Sequence, residues 1–299
     1  MEVKRRTARS LVQRLNSDSE QIRTQALCEL RLLSKHDPDS RVYISEAGAI
    51  HLLLHLLDST SPAAQENAIA TLLNLSISDR EPLMATPGLL DALAYLLRHP
   101  SSPASAQNAS ATLYSLLIVE DYRPIIGAKP QIVSALVDLL RSHSSPTRSI
   151  KDSLKALFGI ALYPLNRPRI VDLGAVPTLF SLALKDRSIG IMEDATAVIA
   201  QIAGCYESID AFRKVSGVPV LADLLDPATG STARVRENSV AALLNLIQSG
   251  GEKAMEDVRE IGTAAIGGIA DVAESGSSRA KSKASALLSI LTANNGFSA

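Results

Sequence analysis

The sequence predicts an all-α solenoid, and three observations predict it. First, an amphipathic stretch, clearest as AAQENAIATLLNLSI at 63–77, recurs around Ala26, Ala68, Ala109, Ser153, Ala195, Ser239 and Ala284, at spacings of 42, 41, 44, 42, 44 and 45 residues. Second, each copy carries apolar or small residues at helical spacing, as in Ala68, Leu72 and Leu75, with polar residues on the remaining faces. Third, a short segment ending in glycine and a leucine-rich stretch precede most copies in the same order. A unit of this size cannot bury its apolar face alone, so neighbours must stack.

The elements follow in chain order. Residues 6–16 (RTARSLVQRLN) form a short helix with Leu11, Val12 and Leu15 on one side. Asp18 or Ser17 is placed to cap the next helix, 20–35, by accepting its orphan backbone N–H groups. From there each unit has three parts. Short segments end at Gly48, Gly88, Gly174, Gly217 and Gly262, where glycine relieves the cost of a sharp turn between helices. The fourth unit has Pro130-Gln131 at that place, so its turn is built differently. The leucine-rich second helix follows, with Arg98, Arg141 and Lys185 in its last turn, where a cation suits the helix dipole. Ser61-Pro62, Ser102-Pro103 and Ser145-Pro146 then open the third helix as N-cap and first-turn residue. The same pairs fit proline-directed phosphorylation.

Three helices per unit, with a glycine break between the first and second, is the armadillo layout; a HEAT repeat has two helices and no regular break. The expectation is a right-handed superhelical solenoid of about seven armadillo repeats. Residues 1–16 form the capping helix of a truncated first repeat, and 17–299 continue the same domain, with repeats ending near 35, 77, 119, 162, 204, 249 and 293. The last repeat is the least regular, as a terminal one should be.

Composition narrows the function. Thirty basic and 31 acidic residues give a net charge of −1, which disfavours nucleic acid or a membrane surface as main partner. At the start, Lys4, Arg5, Arg6, Arg9 and Arg14 are accompanied only by Glu2. They read as a solvated face on a capping helix or as a phosphate-binding or sorting patch. Cys28 and Cys205 lie in different repeats and read as free thiols, which suits a reducing compartment. With no apolar span and no signal peptide, the expected location is cytoplasm, nucleus or both.

The phrases CELRLLSKHDPDSRVYISEAGAI, QENAIATLLNLSISD and RAKSKASALLSIL resemble the armadillo region of plant U-box ubiquitin ligases, over about residues 9–292. That resemblance implies a region that binds substrates or signalling partners, while a separate U-box recruits the ubiquitin-conjugating enzyme. The chain has no Trp and no stretch before residue 17 long enough for a U-box. It is expected to be either the excised binding region of a ligase or a family member without that domain. A Met1 followed by about ten residues favours the second.

On a third helix, positions i, i+4 and i+7 share a face. They are Asn67, Thr71 and Asn74; Asn108, Thr112 and Ser115; Asp152, Ala156 and Gly159; Asp194, Val198 and Gln201; Asn238, Ala242 and Asn245. In the armadillo family the third helices line a concave groove, and amides there can match the N–H and C=O of an extended peptide. A groove position that merely tolerates water explains the same polarity. Tyr114 and Phe158, where other units have Leu73, Ala200 and Leu244, are candidate aromatic anchors or core. Importin-alpha and beta-catenin place a tryptophan or similar residue four places before the groove asparagine; here those places hold Ala70 and Ala241. An importin-like adaptor is therefore disfavoured.

Arg41, Arg80, Arg123 and Arg167 open the first helix of successive units, where the dipole disfavours a cation. Pairing with Asp39, Asp79 and Asp121 or contact with an acidic or phosphorylated partner segment would explain them. His51 and His55 have the i, i+4 spacing of a zinc pair but lack the intervening glutamate of a zinc protease. His36, His99 and His143 fall in loops or at helix ends. There is no glycine-rich phosphate loop, no G-x-S-x-G and no Cys cluster, and Glu66, Asp152 and Asp194 fall one per repeat rather than converging. The reading is a monomeric, non-catalytic protein-interaction scaffold with no cofactor or metal. The alternatives are the substrate-recognition region of a U-box ligase and an importin-like cargo adaptor.

Overall fold

The computed structural model describes residues 1–142, 144–185 and 188–292, without the side chains of 185 and 262–264. His143, the Lys185 side chain and the expected end of the last repeat at 293 therefore lie outside the described residues. Two compact units, Met1–Gly159 and Ile160–Ala299, make up the chain. Among the described residues the regular structure is helical throughout, with no strand.

The first unit begins with α1 (Glu2–Leu15) and α2 (Glu20–His36), a repeat without its short helix. Then come α3 (Pro38–Glu46), α4 (Ala49–His55) and α5 (Pro62–Ser78), with a 3-10 turn at Leu56–Asp58. The third repeat is α6 (Glu81–Ala85), α7 (Leu89–Arg98) and α8 (Pro103–Leu116). The fourth is α9 (Tyr122–Gly127), α10 (Pro130–Arg141) and α11 (Thr147–Ala161). Third helix packs on third helix: α5 touches α2 and α8. Ser110 of α8 and Ser153 of α11 hydrogen-bond through their hydroxyls at 3.1 Å. Leu72, Leu75, Leu113 and Leu116 are fully buried in these seams, each worth roughly 1.5–3 kcal/mol of transfer free energy.

The second unit holds α12 (Arg167–Asp172), α13 (Ala175–Lys185) and α14 (Ile189–Ile202), then α15 (Ser208–Lys214), α16 (Gly217–Asp223) and α17 (Ala233–Glu260). Within α17, Gly251 (φ 59°, ψ −141°) breaks the helix, so its first part is the sixth third helix and its remainder the seventh first helix. α18 (Gly262–Ser275) and α19 (Ser278–Thr292) complete the stack, with α17 packed on both α14 and α19.

Most local expectations are met. Gly48, Gly88 and Gly174 have φ between 76° and 85°. The fourth unit makes its turn with an extended Lys129 (ψ 99°) before Pro130. Ser61 and Ser102 accept N-cap bonds from Ala64 and Ser105. Three details differ. In the sixth unit Ser216 (φ 51°), not Gly217, takes the left-handed conformation. Gly217 is needed for space, because a Cβ there would stand 2.8 Å from Phe180 Cζ. Ser145 donates its hydroxyl to the Leu139 carbonyl at 2.9 Å. Ser19 is the N-cap residue of α2, while Ser17 accepts from the Ser19 N–H and caps nothing helical.

The basic start is paired rather than merely solvated. Lys4 bonds Asp37 and Asp39 at 2.8 and 2.9 Å, Arg5 reaches Glu46 at 3.5 Å, and Arg14 reaches Glu29 at 3.3 Å. The Lys4 hydrogen bond, aided by Ser40, holds the Asp37 carboxyl below its usual range, and the same contact raises the Lys4 amine. No helix among the described residues is long and apolar enough to cross a membrane.

Two adjacent glycines in α18 give opposite expectations. A Cβ on Gly268 would stand 2.6 Å from Leu225 Cβ, with the Leu225 backbone just behind; a Cβ on Gly267 meets nothing within 4 Å. Gly268→Ala should cost about 1–3 kcal/mol through overpacking, whereas Gly267→Ala should stabilise by up to about 1 kcal/mol through helix propensity. Urea denaturation followed by circular dichroism reads both, and equal shifts would contradict this packing of α18 on the α16 end.

Candidate functional site

Within each unit the stack brings the polar line of its third helices together, but much of it is used within the stack. Asn67 is buried; its Nδ2 donates to Cys28 Sγ at 3.4 Å, and its Oδ1 accepts from Arg31 at 2.8 Å. Asn74 Nδ2 donates to Ser34 Oγ at 3.0 Å. Ser115 Oγ donates to the Ser76 carbonyl at 3.0 Å. In the second unit Asn238 Nδ2 donates to the Glu193 carbonyl and to Thr196 Oγ1, and Asn245 Nδ2 donates to the Ala200 carbonyl at 2.7 Å. Each bond joins one third helix to the preceding one. Thr71 and Thr112 are fully buried and bond back to the carbonyls of Asn67 and Asn108. Neither hydroxyl reaches the surface.

Among the described residues, the amide oxygens of Asn74 and Asn245 accept no bond. Asn108, Asp152, Asp194 and Gln201 are half-buried. Tyr114 stays 38% exposed on α8, and Lys155 Nζ lies 5.9 Å from its ring centroid. Phe158 is half-buried. Leu244 and Ala200, at the matching place in other repeats, are buried.

The arginine line has an explanation that residue identity alone did not supply. Arg41 Nε donates to the Ser34 carbonyl at 2.7 Å, Arg123 Nε to Leu117 at 3.2 Å, and Arg167 Nε to Ala161 at 3.0 Å. Those carbonyls end the preceding third helix, the negative end of its dipole, so the cation is favoured there. Arg80 instead donates to the Ser115 carbonyl, near the end of the next third helix, at 2.6 Å. The expected pairing with aspartate is not what holds these residues. Asp39 pairs with Lys4, and the carboxylate partner of Arg123 is Glu120 at 3.0 Å. Helix stability does account for the line, through the neighbouring helix.

Arg167 does more than cap. Its Nη1 donates to the Gly204 carbonyl and its Nη2 to Gln201 Oε1, both at 3.3 Å. It lines a cavity of about 310 Å³ together with Gln201, Asn245 and Gln248. Gly204 and Ser249 form part of the wall, and Arg279 and Lys283 of α19 complete the lining. Burial lowers the Arg167 guanidinium pKa from its usual value. Burial lowers the Lys283 amine as well, and the charges of Arg279 and Arg167 lower it further. Sequence reasoning named Arg167, Gln201 and Asn245 but missed the α19 cations. Lys283 immediately precedes the anchor Ala284, as Asn67 precedes Ala68 and Asn238 precedes Ser239, so extending the column would have found it.

His51 and His55 are exposed, with their Nε2 atoms 3.4 Å apart. Among the described residues no group of three or more His, Cys, Asp or Glu stands close enough to hold a metal. Cys28 and Cys205 are free thiols, and burial, with Glu207 adding, pushes the Cys205 pKa up to about 11. That thiol is a poor nucleophile.

With the geometry in place, comparison with known proteins decides the family. The family model described as plant U-box protein ARM repeat region matches residues 8–295. The chain belongs to that family. U-box domain-containing protein 1 of Medicago truncatula is 35% identical over 291 residues, 95% of this chain and 40% of that protein. U-box domain-containing protein 17 of Arabidopsis thaliana is 34% identical over 290 residues, 96% of this chain and 38% of that protein. The chain spans about two fifths of the length of such relatives. Among solved structures, an engineered protein at 24% identity aligns with a TM-score of 0.80 over 95% of this chain and 68% of its own. A designed armadillo repeat protein at 25% identity gives 0.54 over 95% and 99%. This ARM repeat region has the fold of a protein-interaction module.

If the amides stitch repeats, truncating them costs stability before any partner is considered. Asn74→Ala and Asn245→Ala should each lower the unfolding free energy by about 0.5–1.5 kcal/mol, with unchanged helix content in the folded state. The two residues lie in different units, so the costs should add. Chemical denaturation of the single and double variants checks this, and a midpoint identical to the parent's would deny the stitching role.

Proposed function

We propose that this armadillo region is a non-catalytic scaffold that binds a partner protein, as an extended segment, on the surface of its third helices. The observation that carries the reading is Tyr114. Most of α8 is packed into the stack, yet this ring is left 38% exposed, with Lys155 5.9 Å from its centroid. A large aromatic with a polar tip, held beside a cation on a rigid helix, is the kind of residue that anchors an interface. The free amide oxygens of Asn74 and Asn245 add acceptors suited to backbone N–H groups.

A second reading is favoured by the relatives, which are U-box domain-containing proteins. On that reading the surface selects the protein to be ubiquitinated, and a U-box elsewhere performs the recruitment. The two differ in outcome rather than in the binding surface. Joining a U-box to this chain should direct ubiquitination to the bound partner only if the second holds.

The surface itself is tested with a photo-crosslinking phenylalanine at Tyr114 and, as a matched control, at Tyr95, which is 43% exposed on α7. A discrete adduct that unmodified protein competes away should form from position 114 and not from 95. Tyr114→Ala should weaken affinity for the protein so identified by roughly ten-fold or more. Crosslinking from 95 alone would put the binding surface on the second helices.

A further inference from the structure

We propose that the cavity framed by Arg167, Arg279 and Lys283 recognises a phosphorylated side chain on the partner protein. This deepens the scaffold reading above and rests on it. The three cations come from α12 and α19 and converge on the third-helix surface of the second unit. Among the described residues no carboxylate lines the cavity. The chain's net charge is −1, so this is a local excess and not the edge of a basic molecule.

Folding alone gives no reason for the arrangement. Arg279 and Lys283 lie one turn apart on α19, an i, i+4 pair of like charges that destabilises a helix. Neither pairs with a carboxylate among the described residues. Three cations elsewhere in the second unit are matched: Arg213 with Asp257 at 2.7 Å, Lys253 with Asp210 at 3.2 Å, Arg234 with Glu193 at 3.8 Å. Burial first, and then the charges of Arg279 and Arg167, lower the Lys283 amine, and an incoming anion would offset both.

The cavity's chemistry fits a phosphate ester better than a carboxylate. Three cations match a group of charge about −1.5 to −2 with three acceptor oxygens, whereas Asp or Glu offers one charge and two oxygens. Gln201, which lines the cavity, has its carbonyl oxygen committed to Arg167 at 3.3 Å and keeps its NH₂ as a further donor. Gly204 makes the arrangement possible. A Cβ there would stand 2.6 Å from Arg167 Nη1, so only glycine lets the guanidinium lie against this backbone. Asn245 and Gln248 on the wall can pair with the peptide backbone that flanks a phosphorylated residue. A membrane headgroup would call for a broad basic field and apolar residues to insert. This wall is polar and its charge is confined to one place.

The test uses the full chain and a degenerate peptide library with a central phosphoserine, beside the same library carrying serine or glutamate. Phosphorylated peptides should bind at least ten-fold more tightly than either control. Arg279→Gln with Lys283→Gln should abolish that preference while leaving the unfolding midpoint unchanged or higher. Gly204→Ala should weaken the preference by displacing Arg167. Equal binding of all three libraries, or a preference that survives the double substitution, overturns the proposal. So does retention on phosphatidylcholine vesicles containing phosphatidylinositol 4-phosphate in place of peptide binding. If Tyr114 crosslinks a partner whose binding ignores phosphorylation, this inference fails while the scaffold reading stands; if Tyr114 captures nothing, the scaffold reading fails on its own.

Discussion

Close approach of successive third helices is the constraint on which the rest depends, and small residues permit it. Ala26, Ala68, Ala109, Ser153, Ala195, Ser239 and Ala284 are all 0% exposed, one per repeat at the same point of the pattern. The distance between two packed helices is set by the side chains at their contact, so a methyl or hydroxymethyl group there brings the backbones near. Only at that separation can Asn245 Nδ2 stand 2.7 Å from the Ala200 carbonyl, or Ser115 Oγ 3.0 Å from the Ser76 carbonyl. The hydrogen bonds between repeats are consequences of the small anchors, not independent devices.

The same geometry explains why a helix can begin with an arginine. A third helix ends with unsatisfied carbonyls, and in a tight stack the next repeat's first helix starts beside them. Arg41, Arg123 and Arg167 place a guanidinium on those oxygens, giving charge-assisted bonds of about 1.5–3 kcal/mol at the favourable end of the dipole. Arg41 then continues to Ser78, and Arg167 to Gly204, each at the end of the following third helix. One side chain closes one repeat and touches the next.

How far the sequence could be read follows from where its information lies. The repeat period, the turn glycines 48, 88 and 174 and the serine caps at 61 and 102 are written in side chains, and a side-chain pattern reveals them. The arginine partners were not legible, because the acceptors are backbone carbonyls and any residue supplies one. Reading Arg41 against Asp39 looked only at neighbours in sequence, while the true partner is the Ser34 carbonyl. The amide column was legible as a line of polar residues. Its inward bonding was not, since donation to the preceding helix depends on a spacing that no single repeat states. Ser216 in the left-handed conformation was missed for a related reason: Gly217 looks like the turn residue, but its missing Cβ makes room for Phe180. Lys283 was overlooked although its place beside Ala284 fixes it to the amide column, because RAKSKASALLSIL was read only for its family resemblance.

Specificity in such a stack can come only from groups that stacking leaves over. Asn67 has both ends of its amide engaged, Thr71 and Thr112 are buried, and most seam residues serve the neighbouring helix. A repeat that followed the pattern faithfully would have little left with which to tell one partner from another. The exceptions are departures from the pattern: an exposed aromatic at 114, where Leu73, Ala200 and Leu244 stand in other units and Phe158 is half-buried, and a lysine at 283 where the second to sixth units keep Asn or Asp. Each departure has a structural cost, an exposed ring in one case and a like-charge pair in the other. Lys155 over the ring offsets only part of the first, and on the proposed scaffold reading a bound partner would offset the rest.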